Sequence, residues 1–304
     1  MNKTLIFLLV ASVLANVIGL FVAYKYLNTK SWLQQSETKL AEAQSSGAGL
    51  SESVSSMTAQ LDEYAKTRMV FLHHSVGRGL LEKGRLRDQL LQRGILVKGV
   101  TFGDELGDET DMNFWLAKFR TEMPKILSFK AHPNQYRTDS AKNDIVLFKS
   151  CFPNSNIVAD GTEPGDPTVP TRTVANYKAL FAQLQLEFAK HPHTLFVYLT
   201  APPLVPESTT PENARRARQF NNWMTTEFAS AYQKETGLNN FAAFDLFGVL
   251  ADSDNVLKAE YRQNIAADSH PNAKGSRAAT EAFLRFFDPV LDTYKRAVSA
   301  SGAS

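Results

Sequence analysis

From Arg68 onward, short apolar runs alternate with longer stretches of helical periodicity, and this alternation limits what the chain can fold into. Residues 69–73, 95–102, 144–149, 194–200 and 241–247 read as strands. Residues 79–93, 112–129, 171–190 and 212–233 read as the helices between them, and 272–298 closes the domain as a helix that Asp288-Pro289 should bend or break. In 212–233, Ala217, Phe220, Met224, Phe228 and Ala231 recur at helical spacing, so one face must pack on something. Strands that alternate with helices build a mostly parallel sheet covered on both faces, a three-layer α/β/α sandwich. Active sites in such sheets lie beyond the carboxyl ends of the strands.

The N-terminus sets the compartment. Residues 4–24 carry no charge and consist mainly of Leu, Val, Ile, Phe and Ala. Crossing the hydrocarbon core takes roughly 20 such residues. Lys3 precedes the run and Lys25 and Lys30 follow it, so the flanking charge is nearly balanced, and an exported bulk rests on the segment's N-terminal position. Val13-Leu-Ala15 also offers small residues for signal cleavage, but the apolar run continues past it to the length of a span. The expectation is a single-pass anchor over 1–27 in a bacterial-type inner membrane, with the folded domain on the periplasmic side.

A polar, partly helical linker over 28–67 separates this anchor from a domain at 68–299, and 300–304 reads as a disordered tail. Within the linker, Leu50, Val54, Met57, Leu61 and Tyr64 alternate four and three apart, the pattern of a short coiled coil. Oligomerisation through residues 31–66 would follow. Gly47 and Gly49 interrupt the pattern upstream, which favours a spacer that holds the domain off the membrane.

Bulk composition removes several function classes. The 304 residues, 43% of them hydrophobic, suffice for a real core. A net charge of +2 gives no basic excess for nucleic acid. Cys151 is the one cysteine, so there is neither an intrachain disulfide framework nor a cysteine-rich zinc module.

Ser75 stands where the first strand stops and a helix starts, in the glycine-rich turn Ser75-Val-Gly-Arg-Gly79. Serine is a common helix N-cap at such a junction, and that alternative stands beside a nucleophilic one. Far downstream the chain reads Ala267-Asp-Ser-His-Pro-Asn272. A serine hydroxyl attacks only when a base takes its proton, and that base needs a third group to fix its tautomer. His270 is suited to the first task and Asp268 to the second. Polar loops at the ends of other strands, Glu105 to Asp111 and Lys149 to Asn156, could supply donors to an oxyanion.

In these blocks the chain resembles the SGNH, or GDSL-like, hydrolase superfamily over residues 69–287. His73-His74-Ser75-Val76 stands where the family often has Gly-Asp-Ser-Leu. Gly107 in Leu-Gly-Asp-Glu-Thr matches the glycine of the second block. Phe-Pro-Asn154-Ser-Asn156 stands in place of the third block's asparagine, without its usual glycine. Asp268 and His270 are two apart rather than three, as in some carbohydrate acyl-esterases and acetyltransferases of the superfamily. The resemblance implies a flavodoxin-like fold, a triad of Ser75, His270 and Asp268, and an oxyanion hole of the Ser75 and Gly107 amides with Asn154. Asn156 is the alternative to Asn154, farther from the strand end. His74 or His73 would border the site, as would Asn156.

Other conspicuous residues read as structural. A zinc site from His73, His74 and His270 lacks a further ligand with recognisable spacing, and no metal or cofactor is called for. Cys151 reads as a packing residue, because nothing near it in sequence would lower its pKa. Arg215, Arg216 and Arg218 read as a solvated face, and Trp115 and Trp223 as core or edge aromatics. The acidic run 104–111 does not match an EF-hand loop.

The combined expectation is a membrane-tethered, exported serine esterase acting on small-molecule, carbohydrate or lipid esters, with O-acetyl groups of envelope carbohydrate as one candidate. An O-acyltransferase with the same triad and a non-catalytic binding protein on the same scaffold are the alternatives.

Overall fold

The structure, a computed structural model, describes residues 67–301. The anchor at 1–27, the heptad stripe and the proposed oligomerisation segment therefore lie outside the described residues. Among the described residues, no helix is long and apolar enough to cross a membrane.

The chain divides into two compact units. The described part of the first is residues 67–68 with Arg87–Val97, which holds most of helix α2 (Leu86–Gln92) and the first half of strand β2 (Ile95–Val100). Gly94 links them at φ +73°, a left-handed turn that costs glycine nothing, and Arg87 Nη1 donates to the Val97 carbonyl at 2.8 Å.

The second unit contains most of the domain. Its strands are most of β1 (Thr67–Leu72), the end of β2, β5 (Ile145–Lys149), β6 (Leu195–Leu199) and β7 (Phe241–Phe244), and the sheet order is β2-β1-β5-β6-β7. β1, β5, β6 and β7 are mutually parallel, with Leu72 opposite Phe148, Phe148 opposite Tyr198 and Tyr198 opposite Ala243. A separate two-stranded ribbon pairs β3 (Phe129–Ala131) with β4 (Gln135–Tyr136). The sheet order reverses between β1 and β5, because the chain runs outward from β1 to β2 and then returns to the other side of β1. That reversal opens a crevice at the carboxyl ends of β1 and β5.

Both faces of the sheet are covered, which is why the strands read as continuous apolar runs rather than as alternation. On one face Val70, Leu72, Phe148, Tyr198 and Phe241 join a buried cluster with Trp115 and Phe119 of α3 (Trp115–Thr121) and Phe181 and Phe188 of α5 (Val174–Ala189). Phe220 of α6 (Pro211–Trp223) and Tyr232 of α7 (Ala229–Thr236) complete it. On the other face, Phe244 packs edge-on against Phe283 and at a tilt against Phe286, both from the last helix, α9 (Ala273–Ser301). The first helix, α1 (Ser75–Leu81), packs on α9. Trp115 has no exposed surface, meets the Phe148 ring at 5.2 Å and donates from Nε1 to Ser150 Oγ at 2.7 Å. Trp115→Ala is expected to destabilise the domain by about 3–5 kcal/mol in urea unfolding, since it opens a cavity and strands the Ser150 hydroxyl.

Three expected helices are interrupted. The 79–93 helix is two, α1 and α2. At Gly84 a Cβ would lie 2.4 Å from Thr280 Oγ1, and Arg85 turns left-handed at φ +58°, so close approach to α9 breaks the helix. The 112–129 helix is a 3₁₀ turn (Met112–Phe114), α3 and α4 (Met123–Ser128), parted at Glu122 before Pro124. The 212–233 helix starts on a Thr210 cap, passes through a π turn (Met224–Phe228) into α7 and ends on left-handed Gly237. Strand 241–247 stops at Phe244, where Asp245 caps α8 (Leu246–Leu250) by accepting from the Gly248 amide at 2.7 Å. Pro289, expected to bend or break the last helix, does not break it and sits inside a continuous α9 that also runs past the expected domain end to Ser301. The proline removes one backbone bond, while Phe283, Phe287, Leu291 and Tyr294 keep the helix docked on both sides of it.

Candidate active site

The junction after β1 is built by close packing. The His73 ring is buried, and its Nδ1 lies 2.7 Å from the His74 carbonyl oxygen. A Cβ on Gly77 would stand 2.3 Å from His73 Cβ, so glycine is what lets α1 fold down over the strand end. His74 occupies the N-cap position in extended conformation (φ −113°, ψ −154°) without a side-chain cap, and Ser75 is the first helical residue. Ser75 is therefore not the cap. Its side chain is exposed, and amides in the first helical turn have no intrahelical acceptor.

The loop before α9 brings the distant segment to this serine. Ala267 takes a left-handed conformation at φ +58°, and Asp268 Oδ1 accepts the His270 backbone amide at 2.9 Å. The same oxygen lies 2.5 Å from His270 Nδ1, and His270 Nε2 lies 2.7 Å from Ser75 Oγ. Since an ionised carboxylate only accepts, Nδ1 carries the proton and Nε2 is left to accept from the hydroxyl. Phe152 braces the imidazole edge-on, with ring centroids 4.9 Å apart at 85°. Burial pushes the Asp268 carboxyl upward, but the amide and ring hydrogen bonds from His270, with the fields of His270 and Lys83, outweigh it and leave the carboxyl below its ordinary range. Asp268 thus stays ionised wherever His270 must be oriented.

The donors expected from the other two loops are committed elsewhere. The Gly107 amide donates to the Asp104 carbonyl at 2.8 Å within a turn. Gly107 is glycine for a different reason, because a Cβ would fall 1.7 Å from the Thr101 carbonyl oxygen. Its own carbonyl accepts from His74 Nε2 at 2.8 Å, and Thr110 Oγ1 lies 2.9 Å from the same nitrogen. Asn154 is buried, its Nδ2 donating to Asp111 Oδ1 at 2.7 Å and to the Cys151 carbonyl at 3.2 Å, while Oδ1 accepts from the Met112 amide at 3.1 Å. Both of its N–H groups are used, so Asn154 ties the 111–112 loop to the third-block loop. Asn156 is engaged through its acceptor, with Oδ1 accepting from Asn213 Nδ2 at 2.9 Å and Thr209 Oγ1 at 3.2 Å, and its Nδ2 makes no hydrogen bond among the described residues.

His74 borders the serine as a clamp. It holds the Gly107 loop and stacks on the half-exposed Phe102 ring at 4.0 Å. Burial pushes its imidazole below the ordinary range, with the Gly107 hydrogen bond opposing and the Lys149 charge assisting. Gly107→Ala is expected to displace this loop from Thr101 and lower the midpoint of urea unfolding, because the added methyl meets backbone that cannot swing away.

Sequence reasoning passed over three groups. Phe152 reads as a loop aromatic until the fold brings it against His270. Lys149 reads as the polar end of a strand, yet it is fully buried, and among the described residues its Nζ has no hydrogen-bond partner. Burial pushes that amine down, against the pull of Cys151 and Asp111. Arg78 lies three residues after Ser75, so helical spacing was the signal that could have placed it on the serine's side of α1. A cleft of about 360 Å³ contains Ser75, His270 and Arg78. His73, His74 and His270 make separate bonds, and among the described residues no cluster of His, Cys, Asp and Glu could hold a metal ion.

No protein-family model matches the chain, and no curated protein matches it. Among solved structures it is similar to a GDSL-like lipase from Bacteroides thetaiotaomicron, at 13% identity over 79% of this chain and 99% of that one, with a TM-score of 0.43. It is also similar to a family two carbohydrate esterase from Cellvibrio japonicus, at 14% identity over 75% of this chain and 62% of that one, with a TM-score of 0.36.

Proposed function

We propose that this chain is a serine ester hydrolase of the SGNH/GDSL-like type, exported and held at the membrane by its N-terminal segment. The observation that carries the reading is the relay of Ser75 Oγ, His270 Nε2, His270 Nδ1 and Asp268 Oδ1, with contacts of 2.7 and 2.5 Å. Such a relay makes a nucleophile from a hydroxyl that is otherwise too weak. Ser75 Oγ attacks the ester carbonyl as its proton passes to His270 Nε2, and the carbonyl electron pair moves onto oxygen. In this reading the amides that open α1 donate to the developing charge. Collapse breaks the bond to the alcohol oxygen, which takes the proton from His270. Water, activated by the same imidazole, then cleaves the acyl-enzyme. Asp268 fixes the tautomer and stabilises the imidazolium without taking the proton itself.

A fluorophosphonate probe tests this directly on the full chain in mild detergent. Covalent labelling that maps to Ser75, with turnover of short-chain nitrophenyl esters, is the expected result. A folded protein that neither labels nor turns over ester overturns the reading and favours a binding role for the same scaffold. Acyl transfer would show instead as an acylated second alcohol replacing the free acid among the products.

A further inference from the structure

The cleft beside Ser75 has a chemical character that the relay alone does not require. Its polar wall consists of Arg78, Glu82, Lys83 and Gln263, with Ile265 as an exposed apolar edge. Arg78 stands three residues after the nucleophile, so both project from the same side of α1. Arg78 and Lys83 are exposed, and neither side chain makes a hydrogen bond or ion pair among the described residues. Glu82 leaves both of them unpaired, although it stands one turn from Arg78. The neighbouring Gly79 keeps the floor open, since a Cβ there would meet only Ser276 Oγ, at 3.4 Å. An accessible guanidinium with no partner, next to a nucleophile, is a ready fork for a carboxylate.

We propose that the cleft receives a carbohydrate ester bearing a carboxylate, with Arg78 as its carboxylate-binding residue and Lys83 adding positive field to the same cleft. The charged and amide groups of this wall suit the hydroxyls and carboxylate of an acidic sugar. Asp268, the other acid in the cleft, is held by His270 and so does not compete for Arg78. This inference rests on the ester-hydrolase reading above and assigns its substrate class.

Acetate release from O-acetylated galacturonate oligomers and from O-acetylated neutral xylo-oligomers tests it, using the full chain. The acidic substrate is expected to have the higher kcat/KM, by roughly 10- to 100-fold, through KM, as suits a charge-assisted hydrogen bond of ordinary strength. Added salt should shrink that ratio. Arg78→Gln should bring the ratio close to one, and Arg78→Lys should restore part of it, because the charge returns without the planar fork. Arg78 is exposed, so these variants are expected to fold, and circular dichroism checks that they do. Equal or lower kcat/KM on the acidic substrate overturns the proposal. So does an Arg78→Gln protein that keeps the wild-type ratio, or hydrolysis of lipid esters in preference to both sugars. A wild type that labels at Ser75 but releases acetate from neither oligomer overturns the substrate class alone. One that does not label at all overturns the hydrolase reading and this inference with it.

Discussion

Ser75→Ala is expected to abolish fluorophosphonate labelling and to lower ester kcat/KM by roughly 10⁴- to 10⁶-fold, leaving only what binding and backbone donors provide. The fold should not change. Ser75 is exposed, makes no cap for α1 and loses only its 2.7 Å bond to His270, so the urea midpoint of the variant should match wild type. Loss of activity with retained stability separates a nucleophile from a structural serine. A variant that kept a tenth of wild-type activity would remove Ser75 from the chemistry.

Asp268→Asn should produce the second-largest loss, about 10⁴-fold in kcat, with far less effect on KM. Both His270 contacts fall on one Asp268 oxygen, so an Asn that turns its N–H₂ group to that position gives up the amide bond, donates to the imidazole and stabilises the tautomer with the proton on Nε2. That proton then points at Ser75 Oγ, and the hydroxyl has no base. The substitution also has a pH signature in stability. Because the folded-state pKa of Asp268 is depressed, its carboxylate contributes stability above the ordinary Asp range, and that contribution is lost as pH falls through the folded value. The stability gap between wild type and Asp268→Asn should therefore be full at neutral pH and close on acidification below about 4, as followed by urea unfolding across pH. A gap that widened on acidification would reverse the sign of the argument.

Much of the architecture was legible because strand and helix periodicity are local properties. The apolar runs at 145–149 and 195–199 are buried on both faces, so they read as strands without knowledge of their neighbours. Helix interruptions were not legible where tertiary contacts cause them. Gly84 breaks a helix because α9 lies against it, and Pro289 fails to break one because packing on either side outweighs a single missing bond. The contacts of the Gly107 and Asn154 loops were the least legible. Gly107 and Asn154 are the residue types that a donor role needs, yet glycine also serves close backbone approach, and asparagine also bridges loops. Only the contacts to Thr101 and Asp104, and to Asp111 and Met112, distinguish these uses.

The sequence by itself determined the layered α/β class and the chemical types at the site: a serine at a strand end, and a carboxylate two residues before a histidine. Those follow from backbone periodicity and side-chain chemistry, which the chain carries everywhere. What only the tertiary structure decided is which groups meet. Ser75 and His270 are 195 residues apart and come within 2.7 Å because β1 ends where the loop before α9 arrives. The same closure leaves Arg78 without a partner in the cleft and occupies Gly107 and Asn154 elsewhere. Pairing of this kind depends on distance and burial, and neither is a property of any one stretch of sequence.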